Sequence, residues 1–498
     1  MDALIDLSPA APCPQSFNLA AYVLSAATQT PHKIALTVYE EGIPRRYSYA
    51  QMARAVFGAA TGLRQAGIAA GDRVLLRIGN TVDFPVCFLA LAALDAVAMP
   101  CSVALTDREV MELLRKTHPK AMICDPKLGL EEFDGQTLQT QQVQAFQTLP
   151  PGRPILGDPN RPGYIIFTSG TSGQPRAVLH AHRAVWARRM MWAGWYQLTS
   201  QDVMMHAGAL NWTYTLGTGL MDPWAIGASA VIPNTQEPAK LWQIMQAEKA
   251  SIFAAAPGIY RRLLQQPVPC PSSLRHGLSA GDILPQALRD NWRDHTQTPI
   301  CEAFGMTECS TFLSATPSAP DHLAVQPGRK IAIFDGDDLV PCGQIGTIAV
   351  DSQDPGLMLG YIEDAALTLP VKNGWYHTAD QGQIFADGRI EFAGRSGDIL
   401  NAGGYRVAPR EIEQILEACP GVQEVGVTEV EVRRDVSIIA AFVVAEEQFD
   451  LAQLGALAAR DLARYKQPRI VQRVSTLPRN ANGKLIRADL PQLWSSKL

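Results

Sequence analysis

Across about the first 300 residues, short apolar runs alternate with stretches of helical periodicity, and this alternation constrains the fold more than any other feature of the chain. Arg73-Val-Leu-Leu-Arg-Ile78 reads as a strand, Phe84–Leu94 as a helix, and the segment near Ala96–Met99 as the next strand. Ala121–Cys124, Ser229–Pro233 and Ser251–Ala256 repeat the strand pattern, with Pro238–Ala247 helical between the last two. Such alternation predicts parallel sheets covered by helices on both faces. From about Val325 the texture changes to Gly, Asp and short β-runs: Lys330–Phe334, Gly346–Val350 and Arg389–Phe392. This predicts a small antiparallel, barrel-like part. A boundary is expected near Gly394–Asp398. Beyond it, Pro409–Ala418 reads as a helix with Pro409 in its first turn and Ile412, Ile415 and Leu416 on one face. Val422–Val427 and Val436–Val444 read as strands of a compact α+β module.

A chain of 498 residues is too long for one ordinary core, so more than one domain is expected. Hydrophobic content of 47% and charged content of 18% are ordinary for a soluble globular enzyme. The net charge of -5 gives no basic footprint, so no nucleic-acid partner is expected. The 9 cysteines show no CxxC pair and no Cys/His metal spacing, which fits structural thiols in a reducing compartment. Met1–Gln15 carries Asp2 and Asp6, no base and several prolines, unlike a signal peptide. The most apolar run, Phe84 to Leu105, is interrupted by Asp95 and Pro100 and is not a membrane span. A cytoplasmic protein with no membrane association is expected.

The stretch Tyr164-Ile-Ile-Phe-Thr168-Ser-Gly-Thr-Ser-Gly-Gln-Pro-Arg176 ends a buried strand in small hydroxyls, glycines and a cation. Glycines let successive backbone N–H groups converge on one anion, and hydroxyls add short donors, a combination that suits a polyphosphate. It is not a Walker loop, since no Gly-Lys-Ser/Thr ends it. Taken alone it is equally a Gly/Ser/Thr surface turn.

Further segments follow in order. Ser279-Ala-Gly-Asp282 is a tight turn. Ala303-Phe-Gly-Met-Thr-Glu308 joins an aromatic, a glycine, a hydroxyl and a carboxylate. Trp375-Tyr-His-Thr-Ala-Asp380 ends a β-like run on a carboxylate. Gly394-Arg395-Ser-Gly-Asp398-Ile-Leu-Asn-Ala402-Gly-Gly-Tyr-Arg406 bridges the two modules, and Pro478-Arg-Asn-Ala-Asn-Gly-Lys484-Leu-Ile-Arg487 lies near the end. Together with the Thr168–Arg176 loop, these segments resemble the adenylate-forming superfamily: acyl-CoA synthetases, nonribosomal peptide adenylation domains and beetle luciferases. The resemblance runs over nearly the whole chain.

That resemblance implies an α/β fold. A large N-terminal domain (1–397) of parallel sheets with helices carries a small β-barrel-like part. A hinge at Asp398 leads to a small mobile α+β C-terminal domain (399–498). It also implies a two-step reaction in which a carboxylate attacks the α-phosphate of ATP, and a thiol then expels AMP from the acyl-AMP. By similarity, Thr168, Ser169, Gly170, Thr171, Ser172, Gly173 and Arg176 hold the β- and γ-phosphates. Thr307 bonds the α-phosphate, and Glu308 ligates Mg²⁺. Phe304 stacks on adenine, Gly281 and Asp282 line the adenine pocket, and Asp380 accepts the ribose hydroxyls with Arg395 nearby. A planar carboxylate suits a vicinal diol, two acceptors facing two donors. Lys484 bridges the carboxylate and the α-phosphate as a compact mobile charge. After rotation about Asp398, Gly403, Gly404, Tyr405 and Arg406 flank the pantetheine of CoA.

Several positions depart from the family pattern. Gln174 loses one cation of the loop while Arg176 keeps the other; Ala379 stands where Gly is common, and Asp282 where Glu is usual. His206, Trp212 and Tyr214 resemble the wall of the acyl site. Gly305 stands where acetate-activating relatives carry tryptophan, which implies a more open floor. No aspartate stands at 206–210 to hold a substrate amine, and no charge lies between Ala207 and Met221 to pair with a second carboxylate. An aromatic, alicyclic or medium-chain monocarboxylic acid is therefore expected. The expected activity is an AMP-forming acid–CoA ligase using ATP, CoA and Mg²⁺, the alternative being a stand-alone enzyme that loads a carrier protein. A homodimer is the assembly left open.

Overall fold

The strand Arg73–Arg77 lies parallel to Val97–Pro100 on one side and Ala121–Cys124 on the other. Successive side chains of a strand point to opposite faces, and both faces here are dry. Val74, Leu76 and Ala98 join a core with the helices Tyr49–Gln65 and Asp83–Ala93. Leu75, Val97 and Met99 join another with the helix Asp107–Thr117. The helix Asp83–Ala93 also meets Leu36, Ala230 and Ile232 of a second sheet, so it is buried on every side. A helix clamped between two sheets has no solvent face, which accounts for its near-continuous apolar sequence.

The computed structural model describes the chain apart from residues 170–174, 267–268, 364–365, 396–399, 403–404, 434–435, 463, 465, 481–482 and 495–498. Among the described residues, the first sheet continues through the antiparallel pair Pro162–Ser169 and Pro175–Ala181 to Gly360–Glu363 and Ala366–Thr368. The second has a parallel centre of Ile34–Glu40, Ser229–Ile232, Val203–His206, Ile252–Ala255, His276–Ser279 and Ile300–Met306. It ends in the antiparallel strands Ser310–Thr316 and Ala319–Val325. The third is antiparallel, built on Lys330–Asp335, Gly346–Asp351, Trp375–Ile384 and Ile390–Arg395. It corresponds to the barrel-like part expected from the sequence. Leu4–Asp6 pairs with Lys330–Asp335, so the start of the chain closes the edge of a sheet formed hundreds of residues later.

In the C-terminal part the helix Pro409–Glu417 packs on a hairpin of Val422–Arg433 and Val436–Ala445, extended in parallel by Ile470–Arg473. The first hairpin strand runs past the expected Val427. Val430 turns into a small second core with Phe442, Leu477 and Leu490, which pulls the strand onward despite its alternating glutamates. No described helix is long and apolar enough to cross a membrane.

One buried ion pair ties these layers together at the site. Arg329 Nη1 lies 2.7 and 2.8 Å from the two Asp354 oxygens, with each side chain 1% exposed. Arg329 Nη2 also donates to the carbonyls of Cys309 and Thr311, and Asp354 accepts from the Gly356 amide. Removing one partner strands a charge in a dry interior, at a cost of about 3–5 kcal/mol, whereas replacing both by apolar groups is often nearly neutral. Arg329→Met should therefore lower the denaturant midpoint sharply. Arg329→Met combined with Asp354→Leu should recover only part of the loss, since the Cys309 and Thr311 carbonyls and the Gly356 amide are left unpaired, and equal loss in the single and double variants would refute this account.

Candidate active site

The strand Ile300–Met306 turns back at Thr307–Cys309 into Ser310–Thr316, with a bulge between Phe304 and Gly305. A Cβ on Gly305 would lie 2.5 Å from the Ser310 carbonyl oxygen and 2.6 Å from Thr311 Cα. The neighbouring strand thus approaches too closely for any side chain, a backbone reason for glycine that is independent of pocket size. Phe304 packs against Phe392 (ring centroids 4.7 Å apart) and edge-on to Phe312 (5.5 Å).

Glu308 follows the turn and is buried. Its backbone carbonyl accepts from the Met358 amide at 2.7 Å, and its Oε1 accepts from the Tyr361 hydroxyl at 2.8 Å. Tyr361 also exchanges a hydrogen bond with Tyr376 at 3.0 Å. Burial, reinforced by the Glu308 charge, pushes the Tyr361 phenol up to about 12, so it stays a donor. The guanidinium of Arg176 lies over the Tyr361 ring, 5.2 Å from its centroid. Arg176 is in register with Thr168 across the hairpin that frames the phosphate-type loop. This loop therefore joins two antiparallel strands and does not open a helix.

Asp380 is also buried, and its amide donates to the Thr378 hydroxyl. It is paired in register with Arg395. Burial raises the thiol of Cys309, the Arg329 charge opposes this, and Asp354, Glu308 and Asp380 add to it. The site thus brings Arg176 and Glu308 together through Tyr361.

His206, Trp212 and Tyr214 meet on the other side. Tyr214 stands edge-on to His206 (4.4 Å) and to Trp212 (5.4 Å), and its hydroxyl donates to the Leu278 carbonyl. The Trp212 ring covers Gly281, where a Cβ would come within 2.6 Å of it and where φ is +94°. The expected acyl wall and the expected adenine turn are therefore in contact. Burial holds the His206 and His180 imidazoles down at about 3. Neither ring has a hydrogen-bond partner among the described residues; His180 lies against the Thr307 backbone, too loosely for a hydrogen bond.

Of the remaining expected residues, Asp282 and Lys484 are joined through Arg479, whose Nη1 lies 3.0 Å from Asp282 Oδ2 and bonds the Gly483 carbonyl. Ser169, Arg395, Tyr405 and Arg406 are described through their backbone. Gly170, Thr171, Ser172, Gly173, Asp398, Gly403 and Gly404 lie outside the described residues.

Sequence reasoning passed over Tyr361, Tyr376, Arg329, Asp354, Asn80 and the buried pair Arg188–Asp222. Asn80 clamps the loop before Trp212, donating to the Gly208 carbonyl at 2.8 Å and accepting from the Leu210 amide at 2.9 Å. Arg188 reaches Asp222 at 2.7 Å and also bonds Tyr196, Thr218 and Ser310. Tyr376 lay inside the Trp375–Asp380 segment and Arg479 inside Pro478–Arg487; the others sit in no segment that sequence reading had singled out.

The model of the AMP-binding enzyme family matches residues 23–362, and that of the AMP-binding enzyme C-terminal domain matches residues 411–484. The chain belongs to the AMP-binding enzyme family, the adenylate-forming superfamily that its motifs resemble. It is 26% identical over 489 residues to a 3-hydroxybenzoate/4-hydroxybenzoate–CoA ligase of Thauera aromatica, covering 91% of this chain and 93% of that protein. It is 27% identical over 489 residues to a plipastatin synthase polypeptide of Bacillus subtilis, covering 94% of this chain but only 19% of that protein. The anthranilate CoA ligase AuaEII, solved with anthranoyl-AMP, has the same fold: TM-score 0.86 at 24% identity, over 97% of this chain and 98% of that one.

A neutral buried imidazole makes acid unfolding predictable. The native His206 stays unprotonated down to about 3, while the unfolded side chain takes a proton below its ordinary value of 6.5. Between these values the unfolded state binds more protons, so stability falls as pH falls, by at most about 1.4 kcal/mol per pH unit for this group. The stability gap between wild type and His206→Asn should narrow between pH 7 and pH 4.5 in denaturant titrations. An unchanged gap would mean that His206 takes up its proton alike in the folded and unfolded states.

Proposed function

We propose that the protein is an ATP-dependent, AMP-forming acid–CoA ligase acting on a monocarboxylic acid larger than acetate, of aromatic, alicyclic or medium-chain type. The observation that carries this reading is the link from Arg176 through Tyr361 to the buried Glu308, with the Lys484 turn held to the Asp282 loop. An anion attacking a polyanion needs cations and donors placed in advance; Arg176 supplies a cation, and the Glu308 carboxylate could hold another.

In this reading Thr168, Ser169, Gly170, Thr171, Ser172, Gly173 and Arg176 hold the pyrophosphate end of ATP. Thr307 donates to the α-phosphate. Asp380 accepts from the ribose hydroxyls beside Arg395, and Phe304, Gly281 and Asp282 border the adenine. Glu308 is the residue that would hold Mg²⁺. No cluster of three His, Cys, Asp or Glu able to hold a metal occurs among the described residues. A single carboxylate fits an ion that takes most of its remaining ligands from substrate phosphates and water. Bound there, it would neutralise charge on the phosphates. Tyr361 keeps the Glu308 carboxylate oriented, and Lys484 supplies the mobile cation of the first half-reaction.

The thiol step would follow rotation of 399–498 about Asp398, bringing Gly403, Gly404, Tyr405 and Arg406 to the pantetheine. A second bound carboxylate would need a spare cation in the acyl pocket. The buried Arg188, which packs against Gly217, is already neutralised by Asp222. This supports a monocarboxylate over a diacid. The 9 cysteines are all free, which agrees with a cytoplasmic setting.

The similarity to one segment of a plipastatin synthase keeps a carrier-protein thiol as the second reading. Thioester formation from ATP, CoA and a panel of acids should occur with aromatic or medium-chain monocarboxylates and be weak with acetate and diacids. Acylation of a carrier protein without acyl-CoA formation would favour the second reading. Lys484→Ala should lower acid-dependent pyrophosphate release by about 10²-fold or more, while thioester formation from supplied acyl-AMP persists. Equal loss of both would remove Lys484 from the proposed role.

A further inference from the structure

Lys484 sits on a closed turn. The Asn480 amide donates to the Lys484 carbonyl at 2.9 Å, the Gly483 amide to the Asn480 carbonyl at 2.8 Å, and the Lys484 amide to Asn480 Oδ1 at 3.0 Å. Gly483 has φ +80°, a conformation that favours glycine, and Arg479 bridges to Leu485 across the turn. The base of the Lys484 stem is therefore well defined within its own module. What decides where that base lies relative to the nucleotide side is a separate contact between modules.

Arg479 makes that contact with one guanidinium. Nη1 donates to the Gly483 carbonyl, inside the Lys484 turn, and to Asp282 Oδ2 at 3.0 Å. Nη2 donates to Glu424 Oε2 at 2.9 Å. The other Glu424 oxygen is held by Arg261, and the other Asp282 oxygen accepts from the Ile283 amide. Arg261, Glu424, Arg479 and Asp282 thus form an alternating chain of charges that crosses from 1–397 to 399–498 twice. Asp282 adjoins Gly281, the glycine covered by Trp212. The far end of the chain is consequently tied to the turn expected to border the adenine.

We infer that Arg479 is a positioning residue for adenylation: it fixes the Lys484 turn onto the Gly281–Asp282 loop, and releases it when the C-terminal module moves. The inference rests on the reading of Lys484 as the cation of the first half-reaction. Arginine suits the task because its planar fork serves acceptors in three directions at once, whereas a lysine offers a point charge on a flexible stem. A cation displaced by about 1 Å can cost on the order of 10²-fold in rate, so a bond at the base of the Lys484 turn matters even though it touches no substrate. The Arg479 side chain is 30% exposed, and ion pairs with that much solvent are weak enough to break and re-form within a cycle.

The test separates the half-reactions. Arg479→Gln should slow acid-dependent pyrophosphate release about tenfold at saturating ATP, and leave thioester formation from supplied acyl-AMP at or above the wild-type rate. Arg479→Lys, which restores charge but not the fork, should recover only part of the loss. Glu424→Gln, which removes the support on the opposite side, should give a smaller loss in the same half-reaction. In a Lys484→Ala background, Arg479→Gln should add no further loss, because it acts through Lys484. A fall in both half-reactions alike, tracking a fall in Tm, would make Arg479 a merely structural residue and overturn the inference. A further loss in the Lys484→Ala background would overturn it as well. Undiminished pyrophosphate release in Lys484→Ala alone would instead defeat the reading of Lys484 on which it rests.

Discussion

Arg329 and Asp354 meet at 2.7 Å in a dry interior, and the geometry of the site hangs on that pair. The guanidinium reaches the carbonyls on both sides of Ser310, and so fixes the turn that presents Thr307 and Glu308. The carboxylate fixes the Gly356 amide at the start of the segment that runs to Tyr361. Two strands far apart in the chain are held in one relation, and the Tyr361–Glu308 hydrogen bond follows from it. A buried pair of this kind contributes little net stability over an apolar replacement. Its value here is positional: a guanidinium fork satisfies two backbone carbonyls that an apolar side chain would leave unpaired.

The same logic recurs around the site. Arg188 and Asp222 cancel each other beneath the strand-to-turn region, with Tyr196, Thr218 and Ser310 taking up the remaining hydrogen-bonding capacity. Asn80 reaches from the first sheet to the backbone of the loop before Trp212, so one carboxamide links two sheets. His206 and His180 are held neutral by burial. Arg329, Asp354, Arg188, Asp222 and Asn80 are thus arranged either to cancel charge or to hold backbone. The groups proposed to meet the nucleotide, Arg176, Glu308 and Asp380, lie where the sheets and the hairpin turns converge.

Much of this was legible in the sequence where local periodicity carried it. Ala121–Cys124 and Pro238–Ala247 were read to the residue, because a short β-branched or apolar run and a proline-started amphipathic stretch are local signals. The pairing of Leu4–Asp6 with Lys330–Asp335 was not legible, since register across such a separation leaves no local mark. The length of Val422–Arg433 was under-read because its outer half alternates valine with glutamate and is held by residues from Leu477 onward. Gly305 was noted as an absence of bulk, yet the close approach of Ser310 supplies a reason that sequence could not show.

The sequence by itself determined the chemistry available: a Gly/Ser/Thr loop with Arg176, a Thr307–Glu308 pair, a carboxylate at Asp380 and a lysine after Gly483. These are properties of short segments, and residue type with spacing is enough to recognise them. Only the tertiary structure decided which of them share a space. Tyr361 as the link between Arg176 and Glu308, Arg329–Asp354 beneath the turn, and Arg479 between Asp282 and the Lys484 turn all depend on side chains meeting across separate sheets and modules. Such meetings are fixed by packing of the whole chain, and a local pattern carries no record of them.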